Sequence, residues 1–176
     1  MVPDARPRVV VSVGTDKHPF DRLVGWVDRW AADNRHVSVF MQYGSSERPN
    51  TAGAPLISHA ELVKAIRTAD VVITHGGPST VMDVRTSGRL PIVVPREPHL
   101  GEHIDGHQIS FARHLDRHGM AILAATEAEL HRLIDSGLAD PASRRLAVNG
   151  AAVPPGVIAF ARHMNALLGI EHKVPR

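Results

Sequence analysis

The chain of 176 residues contains no cysteine, which excludes disulfide cross-links and thiol catalysis and suits a reducing compartment. Aromatic residues make up only 4%, so the apolar interior has to be aliphatic. An excess of charge of one sign is also missing. The formal net charge is +2 and the basic residues are scattered, so there is no footprint for nucleic acid. No apolar run approaches the roughly 20 residues of a membrane span. Residues 1–7 are polar and proline-bearing, with no apolar signal region. These absences predict a soluble globular chain, and the length suits one domain with a proper core.

What is present is an alternation of apolar runs and helical patterns. Residues 9–13, 37–41, 71–74, 91–94 and 120–123 read as strands. They are near-continuous in Val and Ile rather than alternating, as in a parallel sheet covered by helices on both faces. Leu23, Val24, Val27, Trp30 and Ala31 follow the helix period, with Asp21 as the expected N-cap. Ser58-His59-Ala60-Glu61 and Thr126-Glu127-Ala128-Glu129 are capping boxes that open two further helices. A last helix is expected over residues 154–169, from Pro154-Pro155 to the stop at Gly169. Residues 45–55 read as a polar loop and 96–106 as a charged one. Strands alternating with helices predict an α/β fold with a doubly wound, mostly parallel sheet. One domain over 1–176 is expected, with a core at 8–150.

Ligands of such sheets bind beyond the carboxyl ends of the strands. Three loops leave those ends, at residues 14–20, 75–80 and 96–108. The middle one, His75-Gly76-Gly77-Pro78-Ser79-Thr80, leads from an apolar strand into a helix. Backbone N–H groups at a helix start have no intrahelical partner and lie at the positive end of the dipole, so they suit phosphate. Gly76 and Gly77 permit close approach, Pro78 suits the first helical position, and Ser79 and Thr80 add hydroxyls. Asp83 falls on the same helical face as Ser79 and Thr80 and can accept from ribose hydroxyls. The same Gly-Gly-Pro also suits a plain strand-to-helix turn. Gly14 and Thr15 follow the first strand, where a freed N–H and a hydroxyl are two further donors.

His99, His103 and His107 are spaced by four, but Pro98 and Gly101 break any helix through His99, so no metal site is expected. His107 and Gln108 suit vicinal sugar hydroxyls, Gln having both a donor and an acceptor. His18 is the imidazole placed where a base could act, although an exposed loop histidine reads the same way.

Several stretches resemble one family. They are Val11-Ser12-Val13-Gly14-Thr15 with Pro19-Phe20-Asp21-Arg22-Leu23, and His75 to Thr80 with Asp83. Ser87-Gly88-Arg89-Leu90-Pro91-Ile92-Val93-Val94-Pro95-Arg96 and Gly101-Glu102-His103-Ile104-Asp105-Gly106-His107-Gln108 complete the set. Together they resemble the small, single-domain family 28 glycosyltransferases, the donor-binding half of a glycosyltransferase B fold. The resemblance implies that His75, Ser79 and Thr80 contact a diphosphate, that Asp83 holds ribose, and that Gln108 holds the donor sugar. Asp83 departs from the Glu that many relatives carry, being one methylene shorter. By the same resemblance, the chain is the UDP-sugar-binding, catalytic subunit of a two-component, inverting hexosyltransferase that needs no metal or other cofactor. A membrane-associated partner subunit would bring a polyprenyl-linked saccharide acceptor and, as in two-domain relatives, the general base. The helix at 154–169 would dock on that partner or pack on its own sheet. The expected place is the cytoplasm, at the inner face of the membrane. A non-catalytic sugar-nucleotide-binding regulatory module is the alternative from another class. A sugar-nucleotide epimerase is a further one, although it needs carboxylate bases that the motifs do not supply.

Overall fold

A computed structural model describes residues 6–146. Six strands form one all-parallel sheet: β1 (Arg8–Ser12), β2 (Ser38–Gln42), β3 (Ala52–Ala54), β4 (Val71–Thr74), β5 (Ile92–Val93) and β6 (Ile122–Leu123). Their order is β3-β2-β1-β4-β5-β6, so the chain reverses its direction of growth between β1 and β4. The helices are α1 (Asp21–Asp33), α2 (His59–Thr68), α3 (Pro78–Thr86), α4 (His107–Arg117) and α5 (Glu127–Ala139). The expected α/β, doubly wound, Rossmann-like fold is therefore the observed one.

Both faces of the sheet are covered, which explains the unbroken Val/Ile runs. Val9 and Val11 point to one side, where they pack with Leu23, Val24, Val27 and Trp30 of α1 and Leu130 and Ile134 of α5. Val10 and Val72 point to the other and pack with Ile66 of α2 and Val84 of α3. Register follows from this alternation: Val9 pairs with Val71, Val10 with Val72, and Ser12 with Thr74.

Both expected capping boxes form. The Ser58 hydroxyl accepts from the Glu61 N–H, the Thr126 hydroxyl accepts from the Glu129 N–H, and each Glu side chain reaches back to its cap. Two expectations are corrected. Asp21 is the first helical residue of α1 and not its cap. Phe20 holds that position, and the Asp21 carboxylate accepts from the Glu47 N–H instead. The stretch 45–55 is not wholly loop, since Ala52–Ala54 adds an edge strand in register with Phe40–Gln42. The last helix, at 154–169, lies outside the described residues. Among the described residues no helix is long and apolar enough to cross a membrane.

Candidate functional site

The three loops at the carboxyl ends of β1, β4 and β5 meet around two buried side chains, His75 and Arg96. His75 immediately follows β4 and is 9% exposed. Its ring lies between two glycines. A Cβ on Gly14 would stand 2.6 Å from His75 Cε1, and one on Gly77 would fall on Nε2. Gly14 also has φ +81°, which a side chain disfavours. Gly77 has φ −76°, a conformation open to any residue, so its lack of a side chain serves only the histidine.

The His75 Nδ1 atom is buried and meets no hydrogen-bond partner among the described residues. Burial, and next the positive charge of Arg96, push the imidazole down to about 4 from its ordinary 6.5. At neutral pH it is uncharged, able to donate one hydrogen bond but not to act as a cation. A stability consequence follows. Between about 4 and 6.5 the unfolded chain binds a proton at His75 that the folded chain refuses, so stability rises with pH across this window. About 3 kcal/mol is lost on acidification through it, at about 1.4 kcal/mol per pH unit. Denaturant melts at pH 4.5 and 7 should show His75→Gln losing less on acidification than the wild type; equal losses would refute this assignment.

Helix α3 starts directly beyond His75. Gly77 is its N-cap, Pro78 its first residue, and no side chain caps it. Ser79 is exposed and Thr80 half-buried at this open end, as an anion site needs. One turn further, Asp83 is half-buried, with Oδ2 3.1 Å from Nε2 of the exposed His59 at the start of α2. Gly76 packs on Gln108, since a Cβ there would lie 2.8 Å from Gln108 Cβ. Gln108 Oε1 in turn accepts from the Arg96 N–H at 3.4 Å. His107, the first residue of α4, is half-exposed and sits 2.8 Å from Asp105 Oδ1.

Arg96 is fully buried, and its guanidinium joins two of the loops. It donates to the carbonyls of His18 (2.7 Å), Val13 (2.9 Å), Glu102 (3.0 Å) and Pro19 (3.4 Å), and lies over the Phe20 ring. Glu102, also buried, takes a bidentate pair from Arg22 at 2.7 and 2.8 Å and accepts from the Glu97 N–H. Neither arginine was assigned a role from the sequence. Apart from the Glu102 carbonyl beside Arg96, their partners are carbonyls and a carboxylate more than seventy positions away, which spacing cannot reveal.

Gln42 is a further residue missed, and it corrects the reading of Gly14. Its Oε1 accepts from the Gly14 N–H (3.1 Å) and the Ser12 hydroxyl (2.9 Å), while its Nε2 donates to the carbonyls of Gly14 and Pro55. The Gly14 N–H is thus used internally and not left for a ligand. Thr15 beside it is exposed. A polar residue closing an otherwise apolar strand next to β1 was the available signal.

The three evenly spaced histidines do not converge. His99 pairs with Glu97 at 3.3 Å, His103 lies between Asp16 and Asp105, and His107 turns to Asp105. Among the described residues no group of His, Cys, Asp and Glu is placed to hold a metal ion. His18 sits against Asp16, Nδ1 to Oδ1 being 2.6 Å.

Comparison with known proteins bears on the fold and the family. Three solved structures share the fold. They are the glycotransferase of kitacinnamycin (18% identity, TM-score 0.60, 94% of this chain and 41% of that one), the calicheamicin glycosyltransferase CalG4 (18%, 0.61, 96% and 45%), and Acinetobacter baumannii MurG (18%, 0.60, 94% and 54%). The chain thus spans about half the length of each, or less. No protein of curated function matches the sequence. The model of the glycosyltransferase family 28 C-terminal domain matches residues 8–152, most of the chain. This chain belongs to the glycosyltransferase family 28 C-terminal domain family.

Proposed function

We propose that the chain is the donor half of a metal-independent, inverting glycosyltransferase that binds a UDP-sugar and transfers a hexose or N-acetylhexosamine. One observation carries this reading. At the point where the strand order reverses, an uncapped helix start, two glycines and the ring of a buried neutral histidine come together. That arrangement suits a diphosphate. As the bond to the anomeric carbon breaks, negative charge builds on the departing UDP. The first N–H groups of α3 and the hydroxyls of Ser79 and Thr80 would hold that charge, with His75 as a neutral donor. Asp83 would accept from the ribose, displacing His59, and Gln108 with His107 would contact the donor sugar.

The acceptor in this reading is a polyprenyl-linked saccharide, presented at the cytoplasmic face of the membrane by a partner subunit. The chain matches about half the length of the similar solved structures, and in this reading the other half of the site comes from that partner. Family membership favours transfer over a purely regulatory sugar-nucleotide module, which would bind the donor and never turn it over.

Calorimetry with UDP tests the donor site. The wild type should bind, with equal affinity in EDTA and in Mg²⁺. Asp83→Ala should lose about 1.5–3 kcal/mol, the range for a hydrogen bond to a charged group. That corresponds to roughly a 10- to 100-fold weaker Kd. An unchanged Kd in the folded variant would remove Asp83 from the site. Binding that needs the metal would overturn the metal-independent reading.

A further inference from the structure

By resemblance the base for the transfer is expected on an acceptor-binding half, yet the first loop of this chain holds an imidazole arranged for that work. His18 Nδ1 lies 2.6 Å from Asp16 Oδ1, and the same oxygen accepts the His18 backbone N–H at 2.8 Å. Two bonds from one residue fix the ring relative to its own backbone. The backbone is itself held, because the buried guanidinium of Arg96 donates to the His18 carbonyl at 2.7 Å. Asp16 is tied as well, its carbonyl accepting from the Ser45 hydroxyl at 3.1 Å. An ionised carboxylate only accepts hydrogen bonds, so the proton of neutral His18 sits on Nδ1 and the lone pair on Nε2.

The pair belongs to the loop that meets His75 through Gly14. The charges of Asp16 and His103 both act on His75. The His18 side chain is 26% exposed, enough to meet a second substrate and to return a proton to water.

We propose that His18 is the general base of the transfer, with Nε2 as the proton-accepting atom and Asp16 as the residue that positions it. This rests on the donor-site reading above. In the step, the acceptor oxygen forms its bond to the anomeric carbon while its proton passes to His18 Nε2. The bond from the anomeric carbon to the diphosphate oxygen breaks, and UDP leaves with the electron pair. The proton is then lost from the imidazolium to solvent. A general base works best when a third group fixes its ring and tautomer, which is the role of Asp16 here.

Other titratable and charged groups lie near this imidazole. His103 has its ring centre 6.2 Å away and is backed by Asp105 at 3.5 Å. The Arg96 charge lies on the far side of the His18 carbonyl, and Lys17 is an exposed neighbour. Burial alone would raise the Asp16 carboxyl. Hydrogen bonds from the His18 backbone and ring outweigh it, helped by the charge of Arg96, so Asp16 stays below the ordinary carboxylate range and ionised.

Water can replace the acceptor, so the purified chain should slowly release UDP from UDP-glucose or UDP-N-acetylglucosamine. His18→Gln should lower the kcat of this hydrolysis by about 100-fold or more while KM and the Kd for UDP stay within about twofold. Asp16→Asn should lower kcat about tenfold with KM little changed. Nitrogen NMR of labelled histidine should find the wild-type His18 proton on Nδ1, and this preference gone in Asp16→Asn. The proposal is overturned by a His18→Gln kcat near wild type, by an Nε2–H tautomer in the wild type, or by a wild type that binds UDP yet releases none from either donor. A wild type that does not bind UDP refutes the donor-site reading itself, and the base assignment with it.

Discussion

Arg96→Met is expected to be the most damaging single change in the site, destabilising the chain by about 3–5 kcal/mol. Methionine can fill much of the volume of the arginine stem but offers no donor. Three carbonyls, of Val13, His18 and Glu102, would lose partners at 2.7–3.0 Å. Each buried acceptor left unpaired costs about 1–3 kcal/mol. A small domain has only about 5–15 kcal/mol in total, so the variant should be partly unfolded near body temperature. Lysine should not rescue it, since one ammonium cannot span carbonyls that a planar guanidinium reaches from two nitrogens. Urea denaturation measures the effect. A loss under about 1 kcal/mol would show that water replaces the guanidinium at little cost and that Arg96 does not organise the loops.

The second large effect is expected at Gly77. Its φ of −76° suits alanine, and alanine is the better residue for an ordered backbone, so Gly77→Ala should be neutral or stabilising by local criteria. It should instead cost at least about 2 kcal/mol, because the new methyl falls on the His75 ring, which Gly14 blocks on its other side. UDP binding should weaken at least about tenfold as the ring and the α3 start shift apart. The decisive measurement is a double-mutant cycle. In a His75→Ser background the methyl has room, and the penalty for Gly77→Ala should shrink by at least about 1 kcal/mol. An undiminished penalty would mean that the glycine serves something other than the histidine.

The sequence carried the sheet and its helices because each buried strand needed a run of Val or Ile and two helices began with complete capping boxes. Its reading failed where local preference was not in control. β3 is Ala-Gly-Ala, without the branched residues that mark strands, and it pairs because small side chains let an edge strand approach β2. A Cβ at Gly53 would collide with the Met41 carbonyl. Asp21 has the chemistry of a cap but sits one residue inside the helix, drawn toward the 45–55 segment by the Glu47 N–H. In the candidate site, the placement of His75, Gly77, Ser79, Thr80 and Asp83 around one helix start was legible because one strand–turn–helix unit spaces them. Arg96, Gln42 and Asp16 were not, for two different reasons. Arg96 and Gln42 act on residues brought near only by the sheet, with no periodicity linking them. Asp16 acts on its neighbour His18, two positions away, through a loop conformation that spacing leaves open.

The strand order also governs how the protein comes into being. β1 is made first, yet its partner on one side, β4, follows only after β2, β3 and two helices, with Arg8 and Asp70 joined across 62 positions. Such closures are paid for in chain entropy before any contact repays them, so a sheet wound in this way folds more slowly than a helical bundle of similar length. During synthesis, β1 therefore waits with one edge bare until residue 74 has left the ribosome. Arg96 cannot cross-link the loops until still later. Nascent chains halted between β3 and β4 should be sticky and unable to retain a nucleotide, and binding competence should appear abruptly once α4 is complete.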